Sequence, residues 1–320
     1  MKSLLGFWLI FESATVAFGA STNGISDGSE KLTVVWTAAT NDWQEKLWTY
    51  KVSPQKFSPS VISNILTIGG FTKKDRAKVP QSISEMDKNA IFYGHLEGTY
   101  KHLAICPSLG SIDYYDPTAK ASSHFQKVEG VPNEQEATLL GLECLRICGI
   151  DISQIARKPG SCKLDLRWEK NTLTYTDQKT QKEIVETNSY GVLFNRCIDG
   201  VKVNGYARSG GVRVRFGNSA KLVDLQICWR NLQPHELLTV PSPQQIAEQL
   251  RDGKLLLHPL GTAYVYPFEE VKKLTVIKCT FYYEGKYYDE PMDFVRPFIS
   301  FEGIADNGKT ATGVWFEWCL

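Results

Sequence analysis

Five histidines, His95, His102, His124, His235 and His258, are the side chains that could exchange protons near neutral pH. None lies in an H-E-x-x-H run, and none is spaced from another as a metal-ligand pair. His95 and His102 are near enough in sequence to meet across a hairpin. Asp113 and Asp116 flank Tyr114 and Tyr115, and Asp289 and Glu290 form a second acidic pair. Glycoside hydrolysis needs two carboxylates across a cleft, so these acids with His95 and His102 define a hydrolase reading. A G-x-S-x-G elbow is absent, and Gly110-Ser111 does not supply one. No Walker loop or G-x-G-x-x-G run follows a strand. Asp306-Asn307-Gly308 starts like a calcium loop but lacks the acidic ladder and the closing glutamate, so it reads as a turn. These patterns predict no cofactor and no catalytic set.

The cysteines are Cys106, Cys144, Cys148, Cys162, Cys197, Cys228, Cys279 and Cys319. An even number suggests disulfides if the chain is exported. Cys144 and Cys148 fall on one helix face, placed to reach other elements rather than each other. Zinc would need close Cys/His pairs on two segments, and only this one pair exists, so no metal is expected. Cys106 is available as a thiol nucleophile, with no base marked for it.

Export is what the first residues predict. Met1-Lys2 is a short basic start, Leu4–Phe11 an apolar core and Ala17-Phe18-Gly19 a small-x-small cleavage site. Residues 1–20 read as a signal peptide, too short in its apolar run for a stable membrane span. The formal net charge of +1 and a charged fraction of 22% carry no general attraction to nucleic acid.

Local patterns place the elements. Ser58-Pro59, Asn133 with Glu136, and Ser242 with Gln245 are helix starts. Gly69-Gly70, Gly149 and Gly253 are their stops. Ala137, Leu140, Cys144 and Cys148, widened by Leu139, Leu142, Leu145 and Ile147, predict a well-buried second helix. Strands are expected at 32–37, 47–52, 91–94, 102–106, 112–115, 162–168, 172–176 and 190–194. A turn at Glu169-Lys170-Asn171 joins two of these. Further strands are expected at 273–281, 286–289, 294–302 and 313–319, with a hairpin turn at 306–309.

The clearest stretch is Gly191–Leu232. Val212, Val214 and Phe216 alternate with Arg213 and Arg215, and Val223, Leu225, Ile227 and Trp229 alternate with Asp224, Gln226, Cys228 and Arg230. With Gly217–Ala220 as loop, Val214 would face Val223 and Arg213 would face Asp224. Arg213, Arg215 and Arg230 then form either a basic face for an anionic partner or the wet face of a half-buried sheet.

The order of IDGVKVNG, a loop, GVRVRFGNSAKLVDLQICWRNLQP and a proline-flanked helix, roughly Asn133–Asp252, resembles the extracytoplasmic YycH/YycI-type regulators and, more broadly, PepSY-like modules. That resemblance implies small α+β units, a helix on an antiparallel sheet, with no catalytic residues. With the helix-then-strands order seen three times, the expected fold is α+β, tandem PepSY/cystatin-like units of one helix on a β-meander. The expected limits are 21–125, 126–238 and 239–320.

Aromatics crowd the C-terminal strands: Phe281-Tyr282-Tyr283, Tyr287-Tyr288, Trp315-Phe316 and Trp318. Alternation turns half of each set outward, where Tyr and Trp favour interfaces. Tyr283, Tyr287 and Trp315, with the three arginines, are therefore the expected binding residues. The expected protein is an exported, non-enzymatic binding or regulatory protein. It would present a sheet face or edge to a protein or peptide of the cell envelope. The dispersed-residue hydrolase and a structural envelope protein are the alternatives.

Overall fold

The computed structural model describes residues 32–40, 43–94, 100–123, 126–204, 210–252, 257–260, 271–286 and 292–320. The leader-like segment 1–20 lies outside the described residues, as do His95, His124, Gly253, Tyr287, Asp289 and Glu290.

Helix starts follow their caps. In α1 (Pro59–Gly69) the Ser58 hydroxyl accepts from the Val61 amide at 3.2 Å, and Gly70 closes the helix with φ 65°. In α3 (Glu134–Ile147) Asn133 and Glu136 satisfy each other's backbone amides, both at 3.0 Å. Ser242 and Gln245 do the same for α4 (Pro243–Arg251). Each cap contributes about 1 kcal/mol. A short helix the sequence pattern does not signal, α2 (Gln81–Met86), forms inside the polar connection after α1.

Strands gather into three sheets. The first contains β3 (Ile91–Gly94), β4 (His102–Cys106), β5 (Ser111–Tyr115), β6 (Leu166–Thr176), β7 (Glu183–Asn195), β10 (Gly211–Phe216) and β11 (Leu222–Cys228). Its order is β3-β4-β5-β11-β10-β7-β6, antiparallel throughout. Both α1 and α3 pack on its inner face. Ile65, Leu66, Ala137 and Leu145 meet Leu103, Ile112, Val212, Val214 and Phe194 in one core. Gly141 lets α3 approach, since a Cβ there would sit 2.9 Å from the Phe194 ring.

The second sheet contains β1 (Thr33–Trp36), β8 (Cys197–Ile198), β9 (Val201–Asn204), β13 (His258–Pro259), β14 (Lys273–Glu284), β16 (Pro297–Asp306) and β17 (Ala311–Cys319). Its path is β13-β17-β16-β14-β9-β8, with β1 also on β14. The third sheet is β12 (Asn231–Thr239), β2 (Lys46–Ser53) and β15 (Phe294–Val295), with β2 central. The second core joins Leu274, Ile299, Phe301, Val314 and Phe316 to Leu47 and Tyr50 of β2 and to Ile246 and Leu250 of α4.

The expected tandem helix-on-meander fold is therefore corrected. The described chain is mostly β, and α1 and α3 share one sheet instead of each owning a meander. Thr33 of β1 and Lys202 of β9 pair in parallel with β14, at Lys273 and Tyr282. Alternation says which face of a strand is buried but not which strand lies beside it, so these distant pairings had no signal.

Two local expectations also change. No turn forms at Glu169-Lys170-Asn171; β6 runs through it with a register shift at Asn171/Thr172. The turn comes at Asp177, whose carboxylate accepts from the amides of Lys179 and Thr180. In the central hairpin Val214 faces Leu225 and Arg215 faces Asp224, because a shift between Arg215 and Phe216 displaces the register. The second helix is buried on one side only: Leu139 is 62% exposed.

Candidate functional site

The two seven-stranded sheets treat their outer faces differently. On the first, cross-strand register brings His102, Tyr115, Asp224, Arg215 and Glu169 into one row and Asp113, Gln226, Arg213 and Leu193 into the next. Arg213 donates to Asp224 at 2.6 Å and Arg215 to Glu169 at 3.0 Å. Each arginine also lies within 4.0 Å of the other's carboxylate. Every residue of β11 is buried, Asp224 included. Burial pushes the Asp224 carboxyl up, against the pull of Arg213 and Arg215. Lys120 also reaches this cluster, its pKa lowered by burial and by Arg215. The carbonyl of Ala121 is tied to Asn188, and those of Glu129 and Gly130 to the hairpin loop.

Arg213 and Arg215 thus form neither a free basic face nor a solvated one: their charges are answered inside the protein. Arg230 is buried beside Arg196, which donates to the Arg230 carbonyl at 2.6 Å and lies over the Trp229 ring at 4.8 Å. Burial lowers Arg196 to about 10. Tyr283 is wholly buried, edge-on to Tyr50 at 5.6 Å, so it packs the second core instead of presenting a contact surface. Tyr287 lies outside the described residues. Trp315 is half-buried on the outer face of the second sheet, stacked on His258 at 4.7 Å.

The hydrolase residues come together only in part. His102 Nε2 is 3.8 Å from Asp113, which holds the histidine's pKa up. Asp116 points elsewhere: it accepts from Thr118 and pairs with Lys101 at 3.1 Å. All eight cysteines are free thiols, so the expected disulfides do not form. Cys106, Cys144, Cys148 and Cys228 serve as small apolar core residues, and burial raises Cys106 and Cys144 to about 11. Among the described residues, no group of three or more His, Cys, Asp or Glu is placed to hold a metal ion. No described helix is long and apolar enough to cross a membrane.

Among the described residues, the outer face of the second sheet is open around Ile277 and Ile304. Ile277, bulged from β14, and Ile304 on β16 are exposed, near Leu260 and the Trp315–His258 stack. At its margin lies β17. The Leu260 amide donates to the Gly313 carbonyl at 2.9 Å, and His258 pairs with Trp315. Pro259 sits opposite Val314, whose backbone turns toward β16, so its missing N–H breaks no bond. Backbone direction alternates along a strand. Glu317 and Cys319 therefore aim their N–H and C=O groups at the same outer edge as Gly313 and Trp315. Among the described residues, no strand pairs with that edge beyond Trp315.

Beside this stretch of β17 is a recess of about 390 Å³ lined by Leu238, Pro241, Gln245, Trp318 and Leu320. The aromatic run of β17 was visible in the sequence. The contributions of β12 and of the α4 start were not, because they arrive through the third sheet and the second core.

No family model matches the chain, and no curated protein does. Among solved structures the chain is similar to an uncharacterized protein from Eubacterium rectale, with 10% identity and a TM-score of 0.46, over 90% of this chain and 87% of that one. A likeness of that degree carries no argument, and it adds nothing to the resemblance to YycH/YycI-type or PepSY-like proteins.

Proposed function

We propose that the protein is a non-enzymatic binding protein that takes an extended peptide segment as an added strand on β17. The observation that carries this is the outward-facing backbone of Glu317 and Cys319 next to the recess at Trp318. An added strand gains main-chain hydrogen bonds along the edge, and its alternate side chains fall over the recess, which supplies selectivity. The leader-like first residues make a cell-envelope protein the expected source of the segment.

The test is selection of binders from an immobilised random-peptide library by the full chain, followed by titration of a selected peptide. Glu317→Pro removes an outward N–H and leaves the inward ladder to β16 intact. It should weaken the peptide at least about tenfold, roughly 1.4 kcal/mol, whereas Glu317→Ala, which loses the same 2.6 Å hydrogen bond from the Tyr282 hydroxyl but keeps the outward N–H, should bind it as the parent does. Failure to select any peptide, or equal binding by Glu317→Pro, sinks the reading.

One observation favours a hydrolase: the His102–Asp113 contact. The charged groups around it are engaged with one another, and none of the described recesses is lined by either residue.

A further inference from the structure

The turn between β16 and β17 sets its polar groups in a reactive order. Asp306 Oδ1 accepts from the Gly308 amide at 2.7 Å. Asn307 Oδ1 accepts from the Lys309 amide at 3.0 Å, the Thr310 amide at 2.9 Å and the Thr310 hydroxyl at 3.3 Å. The Asn307 amide donates to the Thr310 carbonyl at 3.3 Å, which closes the hairpin. Asp and Asn commonly fasten turns in this way. Here the same bonds bracket an electrophile, Asn307 Cγ, and a nucleophile, the Gly308 nitrogen, that are neighbours in the chain.

That nitrogen can add to Asn307 Cγ and close a cyclic imide. Two costs oppose the step: the amide must shed its proton, and negative charge builds on Asn307 Oδ1. A carboxylate already sits on the N–H, so a base is in position. Three donors already converge on the oxygen, as an oxyanion requires. Gly308, at φ 84°, brings no Cβ beside the attacking nitrogen. It is also exposed, so water can reach the product. Two other asparagines stand in contrast. At Asn218 the following amide, of Ser219, donates to the Glu129 carbonyl, which is no base. Asn188 is buried, with its NH2 group held by the Ala121 carbonyl at 2.9 Å.

We infer that Asn307-Gly308 is a self-modification site, at which the folded turn promotes loss of the Asn307 side-chain nitrogen as ammonia. The bond from the Gly308 nitrogen to Cγ forms and the Cγ–Nδ2 bond breaks. The proton leaves Gly308 by way of Asp306 and ends on the departing nitrogen. Water then opens the imide to aspartate or isoaspartate. Isoaspartate adds a carbon to the main chain of the turn and so disturbs the start of β17. The inference does not depend on the peptide-binding proposal.

The test incubates the full chain in mildly alkaline buffer and follows position 307 by peptide mass spectrometry and isoaspartate labelling. Asn23-Gly24 and Asn204-Gly205 share the dipeptide and are read on peptides of their own. The reference is a free peptide of residues 302–312 in the same buffer. Asn307 should be lost at least about fivefold faster in the folded chain than in the free peptide. Asp306→Ser keeps an acceptor for the Gly308 amide but is no base, and should slow the folded chain at least about fivefold. Thr310→Val removes one donor and should slow it about twofold or more. Asn188 and Asn218 should stay intact over the same period. A folded rate equal to or below that of the free peptide, or parent rates in both variants, would overturn the inference.

Discussion

The two seven-stranded sheets each have an inner face on a core, but their outer faces carry different chemistry. On the first sheet, Arg213, Arg215, Asp224 and Glu169 are drawn together by register around a buried Asp224, the other three half-buried. On the second, Ile277 and Ile304 stand exposed, and Lys278 pairs with Glu302 at the surface. The sequence offered two faces to a partner, the arginines of the first sheet and the aromatics of the second. Burial takes away the first. A guanidinium whose charge is already balanced by a buried carboxylate has little charge left to offer a ligand, and pulling it away would strand the acid. Exposed branched side chains lose nothing by being covered.

Three measurements break or sharpen that contrast. The largest effect is expected at Asp224. Asp224→Ala leaves two largely buried guanidiniums short of a counter-charge, and should cost about 3 kcal/mol in urea unfolding. A loss below about 1 kcal/mol would mean the first face is solvated after all.

A smaller effect should come from His102, whose pKa is raised in the fold, chiefly by Asp113. A raised pKa means the folded state favours the charged ring. The stabilisation is thus complete below the unfolded value of about 6.5 and is lost as pH rises through the folded value. Unfolding free energy followed from pH 5 to pH 9 should fall across that window in the parent, and the step should vanish in His102→Gln. The same step in both proteins would assign it to another group.

The smallest change is predicted on the open face: Ile304→Thr should alter stability by no more than about 0.5 kcal/mol. A larger loss would show that this face is packed against something and is not free for a partner.

Much of the local structure was legible. Ser58-Pro59, Asn133 with Glu136, and Ser242 with Gln245 mark real helix starts, because capping depends on residues three positions apart. The hairpin around Gly217 and the turn at Asp306–Gly308 follow from alternation and turn chemistry. The site was less legible. Tyr283 and Trp315 lie in aromatic-rich strands on either side of β16, yet one is wholly buried and the other half-exposed. Tyr283 is turned toward β2 in the third sheet, which no local pattern announces.

By itself the sequence determined the caps, the strand faces, the near-neutral charge and the absence of familiar catalytic motifs, since each depends on residue type and short spacing. Tertiary structure alone decided that β1 and β9 lie parallel to β14, that Asp224 sits between two arginines and that the end of β17 lies beside β12 and α4. Those arrangements are set by which surfaces bury one another across long stretches of chain. The free energy of that choice is shared among many contacts, and no single residue writes it down.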